Sequence, residues 1–160
     1  MGKRFIVYVG TYTAKESKGI YLQRFDAAAG ALEAIGLVAE MPNPSFLALH
    51  PGRRFLYAVS EVRDSKGRHG GAVHAFAIDA RKNGRLTFLN ERSSQGVGPC
   101  HLSVDRTGRC VLVANYESGT AAVLPILEDG SVERTCASRI EPRSASQSKA
   151  VMVLSSSSMT

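Results

Sequence analysis

The chain of 160 residues is 44% hydrophobic, enough for one domain with a real core, which excludes a wholly disordered polypeptide. Its formal charge of +6 is spread thinly, with no Lys/Arg block interleaved with aromatics, so nucleic acid is not an expected partner. The first apolar run, Phe5-Ile6-Val7-Tyr8-Val9, is far short of the ~20 residues of a membrane span and too short for a signal-peptide core, so no membrane association is expected.

Taken in chain order, the predicted elements are short strands. A first group falls near 5–10, 19–26 and 32–39. A second unit covers 45–92. Residues 46–50 are followed by a Pro51-Gly52-Arg53 turn, then by a strand over 55–60 and a loop over 62–71. A strand over 73–78 leads through Asn83-Gly84 to 86–89. Asn and Gly both tolerate positive φ, which predicts a tight hairpin there. Phe55-Leu56-Tyr57-Ala58-Val59 is apolar throughout and predicts a strand covered on both faces. Most of a third unit covers 100–127. Past residue 132 the pattern stops. Seven of the last twenty residues are serine, and 134–160 holds no glycine and no aromatic residue. The division expected is therefore 1–132 as folded repeats and 133–160 as a Ser-rich disordered or aberrant tail.

The units repeat one another. Pro44-Ser45-Phe46-Leu47-Ala48-Leu49-His50-Pro51 matches Pro99-Cys100-His101-Leu102-Ser103-Val104-Asp105-Arg106 at an offset of 55. Asn83-Gly84-Arg85-Leu86 echoes Ala29-Gly30-Ala31-Leu32, and Asp129-Gly130-Ser131-Val132 is a third copy. Four antiparallel strands in each unit of about fifty residues is the sequence form of a β-propeller. A single four-stranded sheet cannot bury both faces alone and must stack on the next. About two and a half blades are present, too few to close a ring of at least about four. Exposed blade faces are therefore expected to promote self-association.

Val9-Gly10-Thr11-Tyr12-Thr13 with Gly19-Ile20-Tyr21, Asn43-Pro44-Ser45-Phe46-Leu47 with His50-Pro51, and Gly98-Pro99-Cys100-His101-Leu102-Ser103-Val104-Asp105 with Val113-Ala114-Asn115-Tyr116 resemble the N-terminal part of the lactonase family of seven-bladed β-propellers. That family includes bacterial 6-phosphogluconolactonases and carboxymuconate cyclases. The resemblance covers 5–132 and less than half of a family member. It implies a metal-independent hydrolase that opens a sugar lactone in the pentose phosphate route, with no cofactor. The family's main site residues lie in later blades that nothing after residue 132 matches. The 160 residues are therefore expected to be a truncated form, inactive alone.

Lactone hydrolysis needs a base for water and donors for the developing oxyanion. Antiparallel pairing brings Cys100-His101 near Asn115-Tyr116 and Ser45-Phe46 near Ser60-Glu61, with Thr11-Tyr12 as the equivalent pair in the first unit. His101 is the candidate base or acid, or else a histidine pinning a loop. Glu61 can accept a proton or a sugar hydroxyl, or be a solvated loop carboxylate. Asn115, Tyr116 and Tyr12 are candidate substrate contacts, although an Asn ending a strand is commonly a turn device. Arg63 and Arg68, in a loop with Lys66 and His69, are candidates for a substrate phosphate, or part of a solvated hairpin. His50 and His74 read as structural. No H-x-x-x-H or H-E-x-x-H supports a metal, and no G-x-S-x-G supports a serine hydrolase. Cys100, Cys110 and Cys136 form no C-x-x-C and read as reduced thiols in a cytoplasm. The alternative function is a non-catalytic propeller that binds a ligand or a protein at its channel mouth.

Overall fold

The computed structural model describes residues 3–65, 68–134 and 136–138. Strands β1 (Arg4–Val9), β2 (Gly19–Asp26) and β3 (Ala31–Glu40) form the first sheet in that order. The second sheet begins with β4 (Leu47–Leu49) and β5 (Phe55–Ser60). A short ribbon of β6 (Asp64–Ser65) and β7 (Arg68–His69) follows, and β8 (Ala72–Asp79) and β9 (Arg85–Ser93) complete the sheet in the order β4-β5-β8-β9. The third sheet runs β10 (Pro99–Val104), β11 (Cys110–Asn115), β12 (Thr120–Pro125), β13 (Cys136–Ser138). Every pairing within these three sheets is antiparallel. This is the expected blade pattern.

Three details differ from the sequence reading. The loop over 62–71 carries the β6–β7 ribbon, with Asp64 opposite His69. The Asn83-Gly84 turn is not a two-residue hairpin. A 3-10 turn over Ala80–Lys82 precedes it, capped by Asp79 Oδ1, which accepts from the N–H groups of Arg81 (3.0 Å) and Lys82 (3.2 Å). Asn83 and Gly84 then exit at φ 54 and 83, so their tolerance of positive φ is used, one turn later than expected. Finally, β13 lies in a segment without an obvious strand signal. It pairs Ala121 with Ser138 and Val123 with Cys136, covering the edge of β12 that would otherwise stand open. Residues 139–160, which hold most of the Ser-rich segment, lie outside the described residues.

Two cores hold the sheets face to face, and β5 serves both. All six of its residues are buried. Alternation sends Phe55, Tyr57 and Val59 into a cluster with Leu102, Val111 and Leu124 of the third sheet. Leu56 and Ala58 join Ile20 and Met41 from the first sheet and its exit. At about 1.5–3 kcal/mol for each fully buried large side chain, this stacking is the main source of stability.

Hydrogen bonds fix the spacing between blades. Tyr8 Oη donates to the Gly84 carbonyl (2.6 Å), and Tyr57 Oη donates to the Gly130 carbonyl (3.0 Å). In each case a tyrosine of one sheet holds the outer hairpin of the next. On the opposite turn, His50 Nε2 lies 3.1 Å from the Gly108 carbonyl while its Nδ1 accepts from the Gly52 N–H. That assigns the ring proton to Nε2 and gives His50 the structural role expected.

Candidate active site at the channel mouth

The site is built where the ends of β1, β5 and β11 meet the starts of β4 and β10. Asn43 is its organiser. Its Oδ1 accepts from the Thr13 N–H (2.9 Å) and hydroxyl (3.0 Å), while its Nδ2 donates to the Glu61 carbonyl (3.2 Å). The backbone closes the same knot, since the Glu61 N–H donates to the Asn43 carbonyl at 3.1 Å. Asn43 sits at φ 42, a left-handed conformation that Asn tolerates better than most residues. Gly10 allows the close approach: a Cβ there would lie 2.0 Å from the Pro44 carbonyl oxygen. In sequence, the available signal for Asn43 is an Asn before a Pro at a strand exit.

This knot sets Tyr12 against Glu61. The phenol donates to Glu61 Oε2 at 2.8 Å, a contact from the first sheet to the second. The bond to the carboxylate, followed by partial burial and the carboxylate's charge, holds the Tyr12 phenol above its ordinary pKa. Tyr12 is therefore a neutral donor at pH 7.

His101 follows a register shift between Pro99 and His101, where Cys100 is the extra residue. Such a bulge re-aims the side chain after it. The His101 ring lies 4.2 Å from that of Phe46, tilted by 47°, so the histidine of the third blade rests on an aromatic of the second. Its Nδ1 is buried and has no hydrogen-bond partner among the described residues. Cys100, beside it, is a free thiol. Burial, and then the charge of Glu61, raise its pKa, so it stays protonated at neutral pH and is a poor nucleophile.

The other candidates separate. Asn115 is fully buried rather than presented at the mouth. Its Nδ2 donates to the Ser94 carbonyl (2.9 Å) and to Thr120 Oγ1 (3.2 Å), so it ties down the loop before β10. That is the turn-device alternative for Asn115. Tyr116, next along, is exposed at the end of β11, with its N–H donating to the Gly98 carbonyl (2.9 Å). Arg63 is exposed, with Nε 3.1 Å from Glu117 Oε2, joining the mouth loops of the second and third sheets. Glu117 was missed, because nothing in its spacing marks a partner for Arg63. Arg68 lies on β7, and its side chain lies outside the described part of the structure.

Residues 6–150 match the family described as lactonase, 7-bladed beta-propeller. The chain belongs to this lactonase family. The match runs past residue 132, where the visible repeat ends. Among curated relatives, a 6-phosphogluconolactonase of Bacillus subtilis (strain 168) is 42% identical over 130 residues, 81% of this chain and 36% of the relative. A 6-phosphogluconolactonase of Formosa agariphila is 30% identical over 129 residues, 80% of this chain and 35% of the relative. Among solved structures, the periplasmic gluconolactonase of Pseudomonas aeruginosa superposes with a TM-score of 0.75 at 34% identity, covering 83% of this chain and 38% of that one. The chain thus spans about a third of the length of the lactonases it matches. Among the described residues of this lactonase-family chain, no three His, Cys, Asp or Glu side chains are grouped to hold a metal ion. No described helix is long and apolar enough to cross a membrane.

Proposed function

We propose that the mouth formed by Tyr12, Glu61, His101 and Tyr116 is part of a lactone-hydrolysing site whose substrate is 6-phosphogluconolactone. The observation that carries the reading is the Tyr12–Glu61 hydrogen bond of 2.8 Å, which sets a neutral phenol donor beside a carboxylate across two blades. The matched 6-phosphogluconolactonases supply the substrate class. In the reaction a base removes a proton from water, and the water oxygen bonds to the lactone carbonyl carbon. The ring C–O bond then breaks, and the departing oxygen takes a proton, leaving the open acid. His101, whose ring rests on Phe46 at the mouth, is the base. Glu61 holds the water or a sugar hydroxyl, Tyr12 fixes the Glu61 carboxylate through its one O–H, and the phenol of Tyr116 donates to the developing oxyanion. Arg63 and Arg68 are the candidates for the phosphate. The thiol of Cys100, in no disulfide, supports a cytoplasmic setting.

The test separates binding from turnover. Titration of the 160-residue chain with the stable product, 6-phosphogluconate, is expected to move the resonances of Tyr12, His101 and Tyr116, and Glu61→Gln to weaken binding about tenfold. Fresh lactone at pH 7 then reports catalysis. A rate above the spontaneous one that His101→Ala removes assigns turnover to this chain, whereas binding without turnover assigns it the mouth alone. A chain that neither binds nor hydrolyses overturns the reading.

A further inference from the structure

The two inner turns at the end of the sheets opposite the mouth carry a group of unmatched cations. Strands β4 and β10 start at the mouth and β5 and β11 end there, so the turns that join them, 50–54 and 105–109, lie at the far end. The first turn holds Arg53 and Arg54, the second Arg106 and Arg109, and all four are exposed. One imidazole spans the turns, since His50 Nε2 reaches the Gly108 carbonyl at 3.1 Å and its Nδ1 accepts from the Gly52 N–H at 2.9 Å. Arg53 follows Gly52 and Arg109 follows Gly108, so these two arginines flank a single ring. The backbone beneath them is anchored. The Arg53 N–H donates to the His50 carbonyl (2.8 Å), the Arg54 carbonyl accepts from the Ile78 N–H (2.8 Å), and the Arg109 carbonyl accepts from the Ile126 N–H (2.7 Å).

Several exposed cations elsewhere have carboxylates beside them, as Arg4 has Asp26, Arg24 has Glu33, Arg63 has Glu117 and Lys82 has Asp79. Among the described residues none of the four turn arginines has one. Arg54 lies over the Phe55 ring at 5.3 Å, a contact that leaves its N–H groups unspent. Asp105, the single acid of the two turns, spends both oxygens on groups of its own turn and of Cys110. Four guanidinium groups against one such carboxylate set a positive potential on this surface. An arginine fork matches carboxylates and phosphates alike, so its neighbours choose between them. A nucleic-acid single strand needs aromatic platforms for its bases, and neither turn holds Phe, Tyr or Trp. Leu49, just before the first turn, is 49% exposed, and Pro51 within the turn is exposed too. Apolar contacts beside arginines serve a peptide and offer a bare phosphate chain nothing. From these observations we infer that the two turns form a docking surface, distinct from the mouth, for an acidic peptide segment of a partner protein. Its carboxylates pair with Arg53, Arg106 and Arg109, and an apolar side chain of the segment covers Leu49.

Fluorescence anisotropy of a dye-labelled peptide of consecutive glutamates around one leucine provides the test, against an oligothymidylate and a linear polyphosphate of matched charge. The acidic peptide is expected to bind saturably with a Kd of about 100 μM or below at ~50 mM salt, and about tenfold more weakly at ~0.5 M. The oligothymidylate and the polyphosphate should each bind at least about threefold more weakly than the peptide. Arg53→Gln with Arg109→Gln should lose about tenfold in affinity, whereas Lys15→Gln with Lys18→Gln, which removes the same charge at the mouth end, should lose less than about twofold. Should the arginine pair fail to fold, Arg106→Gln keeps the test, because Arg106 is exposed and its loss is expected to weaken the peptide about threefold. The inference is overturned by an absence of saturable peptide binding, by equal or tighter binding of the oligothymidylate or the polyphosphate, by equal losses in the arginine and lysine pairs, or by unchanged affinity in the folded arginine variants.

Discussion

Asp105 shows how one side chain can organise a blade turn and carry a pH dependence with it. Its Oδ1 accepts from the N–H groups of Arg109 (2.7 Å) and Cys110 (2.8 Å), and its Oδ2 from the Thr107 N–H (3.0 Å) and hydroxyl. Burial works to raise this carboxyl, but the bonds from Thr107, Cys110 and Arg109 outweigh it and hold the pKa below the ordinary carboxylate value. A depressed native pKa contributes stability that is complete above the unfolded-state pKa near 4 and is lost as pH falls through the native value. Asp105→Ala is therefore expected to lower stability by about 1–2 kcal/mol at pH 7, with the difference from the parent shrinking below about pH 4. Urea midpoints at pH 7 and pH 3 check this, and a deficit that persists undiminished at pH 3 would contradict it. Residues of this kind are legible in sequence when a motif points outward. His101 and Tyr12 stand out in sequence because repeat geometry places them at a strand mouth. Asn115 leaves two alternatives open in sequence because a polar residue ending a strand looks the same whether it faces the channel or turns inward to a carbonyl. Asn43 was invisible as a site residue because it acts through a positive φ and through bonds to residues 18 and 30 positions away.

Between single residues and the whole stack stand the outer hairpins, of which those of the second and third sheets are each held by a tyrosine of the preceding sheet. Gly130 combines two constraints, since its φ is 86 and a Cβ on it would lie 2.2 Å from the Phe55 ring. Gly30, at the equivalent turn of the first sheet, has a φ of 65 and nothing within 4 Å of its Cβ position. The two glycines share a backbone cost and differ only in packing. Gly30→Ala is expected to cost about 1 kcal/mol from the left-handed backbone alone. Gly130→Ala adds overpacking and should cost about 3 kcal/mol in all. Tyr57→Phe, which leaves the buried Gly130 carbonyl without its donor, falls between them at about 1–2 kcal/mol. Denaturant unfolding of the three variants checks the order, and equal losses at the two glycines would show that the blade contact is not tight. The strands themselves were legible because turn residues punctuate them and because β5, apolar at every position, announces burial on both faces. Strand β13 was not, because Cys136-Ala137-Ser138 has no β-branched or aromatic residue; its pairing is dictated by the open edge of β12 rather than by its own composition.

At the scale of the molecule, stacking leaves the outer face of the first sheet without the cover that the second sheet has on both sides. Phe5, Phe25 and Leu32 stand opposite one another in register across β1, β2 and β3, forming one apolar row. Phe5 is 48% and Leu32 60% exposed. The occupant we expect there is a second copy of the chain, offering the outer face of its third sheet, where Leu112 and Val123 are paired in register. This sheet-on-sheet contact continues the geometry that the second sheet already has with both neighbours. The energies set its strength. Covering five apolar side chains, three on one face and two on the other, contributes about 10 kcal/mol, whereas association costs about 4–15 kcal/mol in lost freedom. The result is weak self-association, visible at about 0.1–1 mM and absent at low micromolar concentration. The two faces differ, so the contact is head-to-tail and gives a continuous distribution of oligomers rather than a discrete dimer. Sedimentation across that concentration range should show the mass average rising without a plateau at twice the chain mass. Phe5→Ser with Leu32→Glu should hold it at the monomer value while leaving the Tyr8 bond to the second sheet intact, because both substituted residues lie on the face away from that sheet. A parent chain that stays monomeric at 1 mM, or a double variant that associates as strongly, places the contact elsewhere on the stack.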